Sequence, residues 1–309
     1  MIVTPLQLGC GVAADLAFGD PRWLPHPIVG MGRLASAMER AWRSTNLPLR
    51  AAGIGVWISV VYATCCLVYA SMRLLPAPYI QIYWIWSFLA VRSLDDHAMA
   101  VIKPLREGNV VAARQAVGRI VGRDTDNLNE HEITRATIET VAENLSDGVI
   151  APLFWLLVGG PVAMAGYKAV NTMDSMFGHK NDCYREFGWC SARMDDFMNW
   201  VPARLTAVLI WIIAAVWPGM NVRQSVRSTC QDAHRQPSPN SGYPEAAAAG
   251  ALGVQLGGVS YYRGVRSEKA FLGEDLQPLS CQIYHGMRML LYAVTLLFTV
   301  LALLLVGLQ

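Results

Sequence analysis

Residues 289–308 form a run of twenty residues without a charge, MLLYAVTLLFTVLALLLVGL. A helix of this length spans about 30 Å, which is the thickness of the hydrocarbon core of a bilayer. Residues 51–72 (AAGIGVWISVVYATCCLVYASM) form a second uncharged run of this kind. The chain is therefore predicted to be an integral membrane protein, and the lipid bilayer is its first expected partner.

The composition agrees with this prediction, since 53% of the residues are hydrophobic and 16% are charged, against about a quarter charged in soluble proteins. The formal net charge is +2 and no basic patch is interleaved with aromatic residues, so nothing in the sequence points to a nucleic-acid partner. The seven cysteines are odd in number and lack zinc-ligand spacing, which indicates reduced packing residues.

The positions of Lys and Arg predict the topology. All but one of the 25 basic residues lie in four polar blocks, and the positive-inside rule places such blocks in the cytoplasm. Four full spans are then expected near residues 2–18, 51–72, 78–91 and 289–308. Two further apolar runs, 148–167 and 205–217, each lie between two cytoplasmic blocks and are predicted to be re-entrant or interfacial, with a break at Gly159-Gly160-Pro161 in the first.

The predicted fold class is an all-α integral membrane protein of one domain, residues 1–309, with about four full spans, re-entrant or interfacial helices and cytoplasmic helical loops. The predicted location is the cytoplasmic (inner) membrane of a bacterium, with the active site facing the cytoplasm.

Residues 128–147 (LNEHEITRATIETVAENLSD) are predicted to form a helix with an acidic face. Residues three or four positions apart are neighbours on a helix, so Glu139, Glu143 and Asp147 should lie close together and repel one another. Such a face requires a metal ion, basic partners or open water. The apolar residues of the same segment, Ile133, Ile138, Val141 and Leu145, are expected to face a core.

Asn and Asp side chains recur in a pattern typical of Mg²⁺ binding. Asn144 and Asp147 precede the apolar segment 148–170, and Asn171 and Asp174 follow it, so a hairpin there would bring the two pairs together. Two further clusters are Asp195, Asp196 and Asn199, and Asp95, Asp96 and His97. Five cations lie among these clusters as phosphate or carboxylate ligands, or as members of structural ion pairs: Arg123, Arg135, Lys168, Arg193 and Arg204.

The segment 237–258 (PSPNSGYPEAAAAGALGVQLGG) is predicted to be a turn-rich loop followed by a helix of small residues. Ser238, Asn240 and Ser241 are positioned to cap this helix, whose N-terminus is suited to an anion, although an ordinary capped helix explains the same pattern. Gly257 and Gly258 allow a close approach of backbone.

His26 lies between Pro25 and Pro27 in the stiff segment GDPRWLPHP. It is a candidate general base, a hydrogen-bond donor to phosphate or a metal ligand. A purely structural role is the alternative.

Seven of these segments together resemble the CobD/CbiB family of cobalamin biosynthesis. The resemblance runs in order from about residue 9 to residue 265 and is carried by GDPRWLPHPIVGMGRL, RSLDDHAMAV, VGRDTDNLNE, IETVAENLSDGVIAPLFW, YKAVNTMDSMFGH, FGWCSARMDDFMNWVPARL and SPNSGYPEAAAAGALGVQLGG.

The resemblance implies an adenosylcobinamide-phosphate synthase, a carbon–nitrogen ligase. Such an enzyme joins aminopropanol, or aminopropanol phosphate, to a propionate carboxylate of the corrinoid adenosylcobyric acid. Because amide formation from a free carboxylate needs activation, ATP and Mg²⁺ are expected. Adenosylcobyric acid and the amine are the expected substrates, and other membrane enzymes of the pathway are further candidate partners.

The roles given to individual residues follow from charge and placement. The binding of Mg²⁺-nucleotide is assigned to Glu143, Asp147, Asp174 and Asp195. Phosphate neutralisation is assigned to Arg123, Lys168 and Arg193, and proton transfer to His26, His97 or Asp96. Substrate binding is assigned to Asn171, Asn240, Ser238, Arg135 and Arg204.

Three other classes of protein are alternatives. One is a corrinoid transporter, which would need more complete spans and coupling elements. A prenyltransferase-like enzyme would also bind Mg²⁺-diphosphate through Asn and Asp clusters, but it needs more full spans. A non-enzymatic membrane regulator would not need all seven segments.

Overall fold

The computed structural model describes residues 3–21, 23–179 and 181–308. The first residue of the predicted 2–18 span and the basic residues Arg22 and Lys180 lie outside them. The chain divides into two compact units, each built from separated stretches. Unit 1 comprises Met1–Ala90, Ala151–Asn199 and Thr299–Gln309, and unit 2 comprises Val91–Ile150 and Trp200–Phe298.

Unit 1 is helical. Its helices are α1 (Pro5–Phe18), α2 (Pro27–Arg43), α3 (Leu49–Leu74), α4 (Ala77–Phe88), α8 (Ala151–Phe177) and α9 (Trp189–Met198).

Unit 2 combines helices with one small sheet. Its helices are α5 (Val91–Arg106), α6 (Val110–Val117), α7 (Glu130–Leu145), a π-helical turn (Ser146–Ile150), α10 (Trp200–Val216), α11 (Val222–Asp232), a 3₁₀ turn (Ala233–Arg235) and α12 (Gly242–Leu252); its strands are β1 (Leu256–Tyr262) and β2 (Val265–Leu272). Helix α13 (Tyr284–Gly307) begins in unit 2 and ends in unit 1.

Three helical stretches in the described residues are long and apolar enough to cross a membrane: α3, α13 and the continuous stretch Glu130–Phe177. A fourth is added if α9 and α10 count as one bent segment. The predicted spans 51–72 and 289–308 therefore coincide with long helices. Their exposed surfaces carry large apolar side chains such as Ile58 and Leu67 on α3 and Leu296 and Leu304 on α13.

The predicted spans 2–18 and 78–91 are shorter helices than the apolar runs suggested. Helices α1 and α4 have 14 and 12 residues, so they measure about 21 and 18 Å, less than the hydrocarbon thickness. The apolar run overestimates the helix because α1 ends at Gly19, which has a φ of 55°, and α4 ends at the extended residue Leu89.

The predicted break in the 148–167 segment is present. Gly159 and Gly160 leave helical geometry, with Gly160 at a φ of 70°, and Pro161 follows. On either side of the break, Trp155 donates a hydrogen bond to the backbone oxygen of Met198 and Tyr167 donates one to Asn199. Both halves of α8 thus contact the end of α9, as a hairpin would require, and the hairpin itself remains a prediction.

Helix α7 confirms the helix predicted over 128–147. Asn129 caps its first turn and forms a reciprocal pair of hydrogen bonds with Glu132, and both distances are 2.9 Å. The four apolar residues predicted to face a core are fully buried: Ile133, Ile138, Val141 and Leu145.

The all-α prediction is wrong for 256–272, because β1 and β2 form an antiparallel hairpin. Arg263 and Gly264 make its turn at φ values of 53° and 78°, in the left-handed region that tight hairpin turns use. The carboxylate of Asp124 accepts hydrogen bonds from both of their N–H groups, at 3.0 and 2.7 Å. The loop before α7 therefore fixes the tip of the hairpin.

Candidate functional site

Glu139 forms the centre of a buried ion pair in unit 2. One carboxylate oxygen accepts a hydrogen bond from Arg123, and the other accepts one of 2.8 Å from the N–H of Gly257. Arg123 also donates to the hydroxyl of Ser260 at 3.0 Å. The side chains of Arg123 and Glu139 are 8% and 7% exposed, so this pair is shielded from water.

Arg135 extends the ion pair to the backbone of β1. It donates hydrogen bonds to the carbonyl oxygens of Gly257 and Val259, and its Nε lies 3.8 Å from Glu139. A Cβ on Gly257 would lie 2.1 Å from the carbonyl oxygen of Ala270, so the predicted close approach of backbone is confirmed. Arg135 thus holds β1 in place through two of its backbone carbonyl groups.

Three more ionisable groups interact with this pair: Glu143 of α7, Glu245 of α12 and Lys269 of β2. Glu245 is 2% exposed, whereas Glu143 and Lys269 are partly exposed. We call Arg123, Arg135, Glu139, Glu143, Glu245 and Lys269 the glutamate cluster. The acidic face of α7 predicted from sequence has therefore acquired basic partners.

Burial and neighbouring charges act together on Glu245. Burial, followed by the charges of Glu143 and Glu139, raises the pKa of Glu245 well above its usual range, and Lys269 and Arg123 oppose this shift only in part. For Lys269, burial lowers the pKa, but the carboxylates, Glu245 first, outweigh burial and raise it overall. Within the cluster, the carboxylates thus favour the charged ammonium group of Lys269, and burial and like charge disfavour ionisation of Glu245.

A polar network in unit 1 surrounds Asp195. One of its carboxylate oxygens accepts a hydrogen bond from Asn171 at 3.2 Å, and the other accepts one from Asn199 at 3.0 Å. The hydroxyl of Tyr167 donates to Asn199 at 2.9 Å. The structure therefore brings together two predicted site residues, Asn171 and Asp195, and directs amide donors at the carboxylate.

Arg204 lies between two aromatic rings in unit 2. Its guanidinium carbon is 4.3 Å from the ring centre of Trp200 and 4.1 Å from that of Tyr243, and it donates to Asn240 at 3.5 Å. Ser241 makes no side-chain hydrogen bond to the start of α12, so its predicted capping role is wrong. Ser238 instead accepts hydrogen bonds from the N–H groups of Asn240 and Ser241, because the chain turns before the helix begins.

Each candidate for proton transfer makes a local contact. His26 caps α2, accepting from the N–H of Ile28 at 3.3 Å through Nδ1, so its Nε2–H donates to Asp20 at 3.1 Å. His97 contacts the backbone oxygen of Ser93, four residues before it.

Asp96 is an exposed partner of Arg92, at 3.0 Å, whereas the adjacent Asp95 is buried. Asp95 accepts two hydrogen bonds of 2.8 Å from Arg288 and one of 2.7 Å from Tyr292. Within the motif LDDHAM, the carboxylate with the stronger structural role is therefore Asp95.

The remaining predicted residues lie in different units. Lys168 is buried and Asp174 is partly exposed, both on α8, and each has interacting neighbours. Asp147, in the π-helical turn, is also partly exposed and partnered. Arg193 is largely exposed, with its nearest carboxylate oxygen, on Asp196, 4.0 Å away.

Within residues 3–21, 23–179 and 181–308, no three His, Cys, Asp or Glu side chains form a group that would hold a metal ion by themselves. Mg²⁺ carried by a nucleotide brings phosphate oxygens and water, so it needs only one or two carboxylates from a protein. The Mg²⁺ assignments of Glu143, Asp147, Asp174 and Asp195 remain predictions.

Glu245 and Lys269 were not predicted from the sequence as site residues. Glu245 stands before four alanines, and an acid in the first turn of a helix is an ordinary feature. Lys269 lies in a strand that was not predicted. The only signal in the sequence was that Glu139 and Glu143 needed basic partners.

A known protein family matches the part of the chain that contains these residues. A family model described as CobD/Cbib protein matches residues 8–292. The chain belongs to this family. The resemblance seen in the seven sequence segments is thereby confirmed, and the match spans the glutamate cluster and the Asp195 network alike.

Individual members of the CobD/Cbib family align along almost their whole length. The cobalamin biosynthesis protein CobD of Pelobacter propionicus is 45% identical, over 97% of this chain and 94% of its own. Proteins of the same name from Geobacter metallireducens and Clostridium perfringens are 44% and 41% identical, over 94% and 96% of this chain and 93% and 96% of their own. No solved structure matches the chain significantly.

Proposed function

We propose that this protein is an amide synthase of cobalamin biosynthesis. It joins aminopropanol or aminopropanol phosphate to a propionate carboxylate of adenosylcobyric acid, which gives adenosylcobinamide or its phosphate. The observation that carries the proposal is the family match over residues 8–292, together with relatives that are named cobalamin biosynthesis proteins.

The reaction needs an activated carboxylate, because a carboxylate is a poor electrophile in water. In the proposed route, a carboxylate oxygen attacks the γ-phosphorus of ATP, which gives an acyl phosphate and ADP. The free amine then attacks the acyl carbon, the C–O bond to phosphate breaks, and inorganic phosphate leaves. Mg²⁺ enters with ATP as part of that substrate.

Residues for the phosphate chemistry are proposed one by one, from their charge and surroundings. Asp195 sits among amide donors, and Arg193 is exposed, with the carboxylate of Asp196 4.0 Å away, so both suit a Mg²⁺-nucleotide. Asp147 and Asp174 are proposed to contribute carboxylate oxygens. Replacing either with Asn should abolish synthesis while leaving membrane insertion intact.

We place the protein in the cytoplasmic membrane, with the substrates on the cytoplasmic side. Support comes from the three long apolar helical stretches and from the concentration of Lys and Arg in the polar blocks. Crossing by α3 and α13 accounts for the apolar side chains that these helices expose.

A turnover assay tests the proposed function. The purified protein in detergent is given adenosylcobyric acid, Mg²⁺ and ATP with either amine donor, and the corrinoid is followed by mass. The expected result is that the mass of the corrinoid rises by the mass of the amine donor less one water. No such rise is expected when ATP is omitted. Folded protein that yields no such product with either donor would overturn the proposal.

A further inference from the structure

Arg204 is a cation held in a fixed orientation at the start of α10 in unit 2. Its guanidinium carbon lies 4.3 Å from the ring centre of Trp200, which is four residues earlier on the same helix face, and 4.1 Å from that of Tyr243, in the first turn of α12. Its Nη1 donates to the backbone oxygen of Trp200 at 2.7 Å and to the side-chain oxygen of Asn240 at 3.5 Å. Two rings and two oxygens thus fix the plane of the guanidinium group.

One edge of this guanidinium group is left for a further acceptor. A guanidinium carries five N–H donors, and the two hydrogen bonds to protein oxygens use only Nη1. In the part of the chain that the structure describes, Nε and Nη2 make no hydrogen bond, and Arg204 forms no ion pair with a carboxylate. By contrast, Arg288 of the same unit pairs with the carboxylate of Asp95 at 2.8 Å. Nε and Nη2 together form the fork that binds two oxygens of one phosphate or carboxylate group.

The cation is accessible to a small anion from outside. Trp200 is 54% exposed, and Arg204 and Tyr243 are partly exposed. The two rings displace water beside the guanidinium, so its remaining edge attracts an anion more strongly than a fully hydrated arginine would.

The proposed reaction contains three anions that could bind here, and the surroundings of Arg204 favour one of them. The phosphates of ATP carry Mg²⁺, which prefers carboxylate ligands, but the contacts of Arg204 are two rings, a backbone oxygen and an amide. The reacting propionate must keep an oxygen free to attack ATP, and a guanidinium fork would occupy both of its oxygens. The phosphate of aminopropanol phosphate neither reacts nor needs a metal ion.

We infer that Arg204 binds the phosphate group of the amine donor through its Nε and Nη2 edge, which makes aminopropanol phosphate the preferred donor. This inference rests on the proposed function and deepens it, because that function leaves the choice between the two donors open. It narrows the substrate-binding role expected for Arg204 from the sequence to one group of one substrate. Trp200 and Tyr243 are positioning residues, because they hold the plane of the guanidinium group.

The test compares Arg204→Gln and Arg204→Lys with the wild type. Aminopropanol phosphate and aminopropanol differ only in the phosphate group, so the ratio of their KM values isolates the contact with that group. Arg227→Gln is the matched control, because Arg227 is an exposed arginine of the same unit that pairs with Glu274 at 3.1 Å. Each KM is measured at saturating levels of the other substrates, in a detergent without phosphate groups, so that no other phosphate competes.

The expected result for Arg204→Gln is a rise of at least about 10-fold in the KM for aminopropanol phosphate, because charge-assisted hydrogen bonds are lost. The KM values for aminopropanol, ATP and adenosylcobyric acid should change by less than about twofold, which a merely structural defect would not achieve. Arg204→Lys should give an intermediate rise, because an ammonium keeps the charge but lacks the fork. Arg227→Gln should behave as the wild type.

Several outcomes would overturn the phosphate site. They are a wild-type protein that prefers aminopropanol, equal changes in the KM of both donors in folded Arg204→Gln, and a rise confined to ATP or adenosylcobyric acid. If Arg204→Gln does not fold, Trp200→Leu is judged by the same criteria, with an expected rise of at least about threefold for aminopropanol phosphate alone, because one of the two rings beside the guanidinium is removed.

The phosphate site and the proposed function fail in different ways. Binding of aminopropanol phosphate is measured separately by calorimetry without ATP, so that binding is read without turnover. A wild-type protein that binds this donor, with binding lost in folded Arg204→Gln, but forms no amide would support the phosphate site and overturn the proposed function. A wild-type protein that forms the amide, with folded Arg204→Gln keeping the wild-type KM and affinity for aminopropanol phosphate, would overturn the phosphate site alone.

Discussion

The buried pair of Arg123 and Glu139 joins α7 to the loop before it, with both side chains under a tenth exposed. Removing one charge leaves the other buried and unpaired, so Glu139→Gln should lower the free energy of unfolding by about 3–5 kcal/mol. Unfolding in detergent by denaturant titration measures this loss.

The exposed pair of Arg266 and Glu268 is the control for that measurement. Its side chains are 62% and 64% exposed, and such pairs contribute at most about 1 kcal/mol. Equal losses in Glu139→Gln and Glu268→Gln would contradict the structural role given to the buried pair.

The ionisation of Glu245 predicts a pH dependence of stability. Since burial and the charges of Glu143 and Glu139 raise its pKa in the folded protein, the folded state binds the proton more tightly than the unfolded state. The stabilisation is complete below the usual glutamate value of 4.5 and is lost as the pH rises through the raised value. The melting temperature should therefore fall over this range in the wild type and fall less in Glu245→Gln, and identical profiles would contradict the assignment.

Charge pattern predicted part of the cluster but not its composition. Glu139 and Glu143 were recognised because two carboxylates four residues apart on one helix repel each other. Two other members of the cluster, Glu245 and Lys269, lie about 100 positions or more further along the chain, and no local pattern relates such distant positions. Arg123 and Arg135 were assigned to binding phosphate or substrate. In the structure both contact Glu139, because a buried carboxylate strongly attracts a nearby guanidinium.

At the scale of elements, the β-hairpin is the main feature that the sequence analysis missed. The segment VSYYRGVRSEKAFL carries β-branched and aromatic residues around Arg263-Gly264, which is a hairpin signal. Its charges led to its assignment as a cytoplasmic block. The long helices were predicted more accurately, because an uninterrupted apolar run of twenty residues has few other stable conformations.

The glycine pair at the start of the hairpin gives a prediction at this scale. Gly257 has a φ of 83°, and a Cβ there would collide with the backbone oxygen of Ala270. Gly257→Ala should therefore destabilise the protein by more than about 2 kcal/mol, by strain and overpacking together.

Gly264→Asn is the matched control, because Gly264 also has a positive φ but has open space around it, and Asn tolerates this conformation. Its melting temperature should stay close to that of the wild type. If Gly257→Ala melts no lower than Gly264→Asn, the close packing at Gly257 is contradicted.

At the scale of the whole molecule, the exposed apolar side chains of α3 and α13 predict membrane integration. The protein should stay in the membrane fraction after washing with alkaline carbonate or high salt, and detergent should release it, because contacts with hydrocarbon do not depend on charge. Release by alkaline carbonate alone would contradict crossing by these helices.

Formation of an amide from an activated carboxylate is the central step of the proposed function. Adenosylcobyric acid labelled with ¹⁸O in both oxygens of the reacting carboxylate tests this in one mass measurement on product and phosphate. The acyl-phosphate route predicts that one ¹⁸O stays in the amide and the other appears in inorganic phosphate. Recovery of the doubly labelled acid unchanged, with folded protein and both amine donors tried, would contradict amide synthesis, and label in AMP would contradict the acyl phosphate.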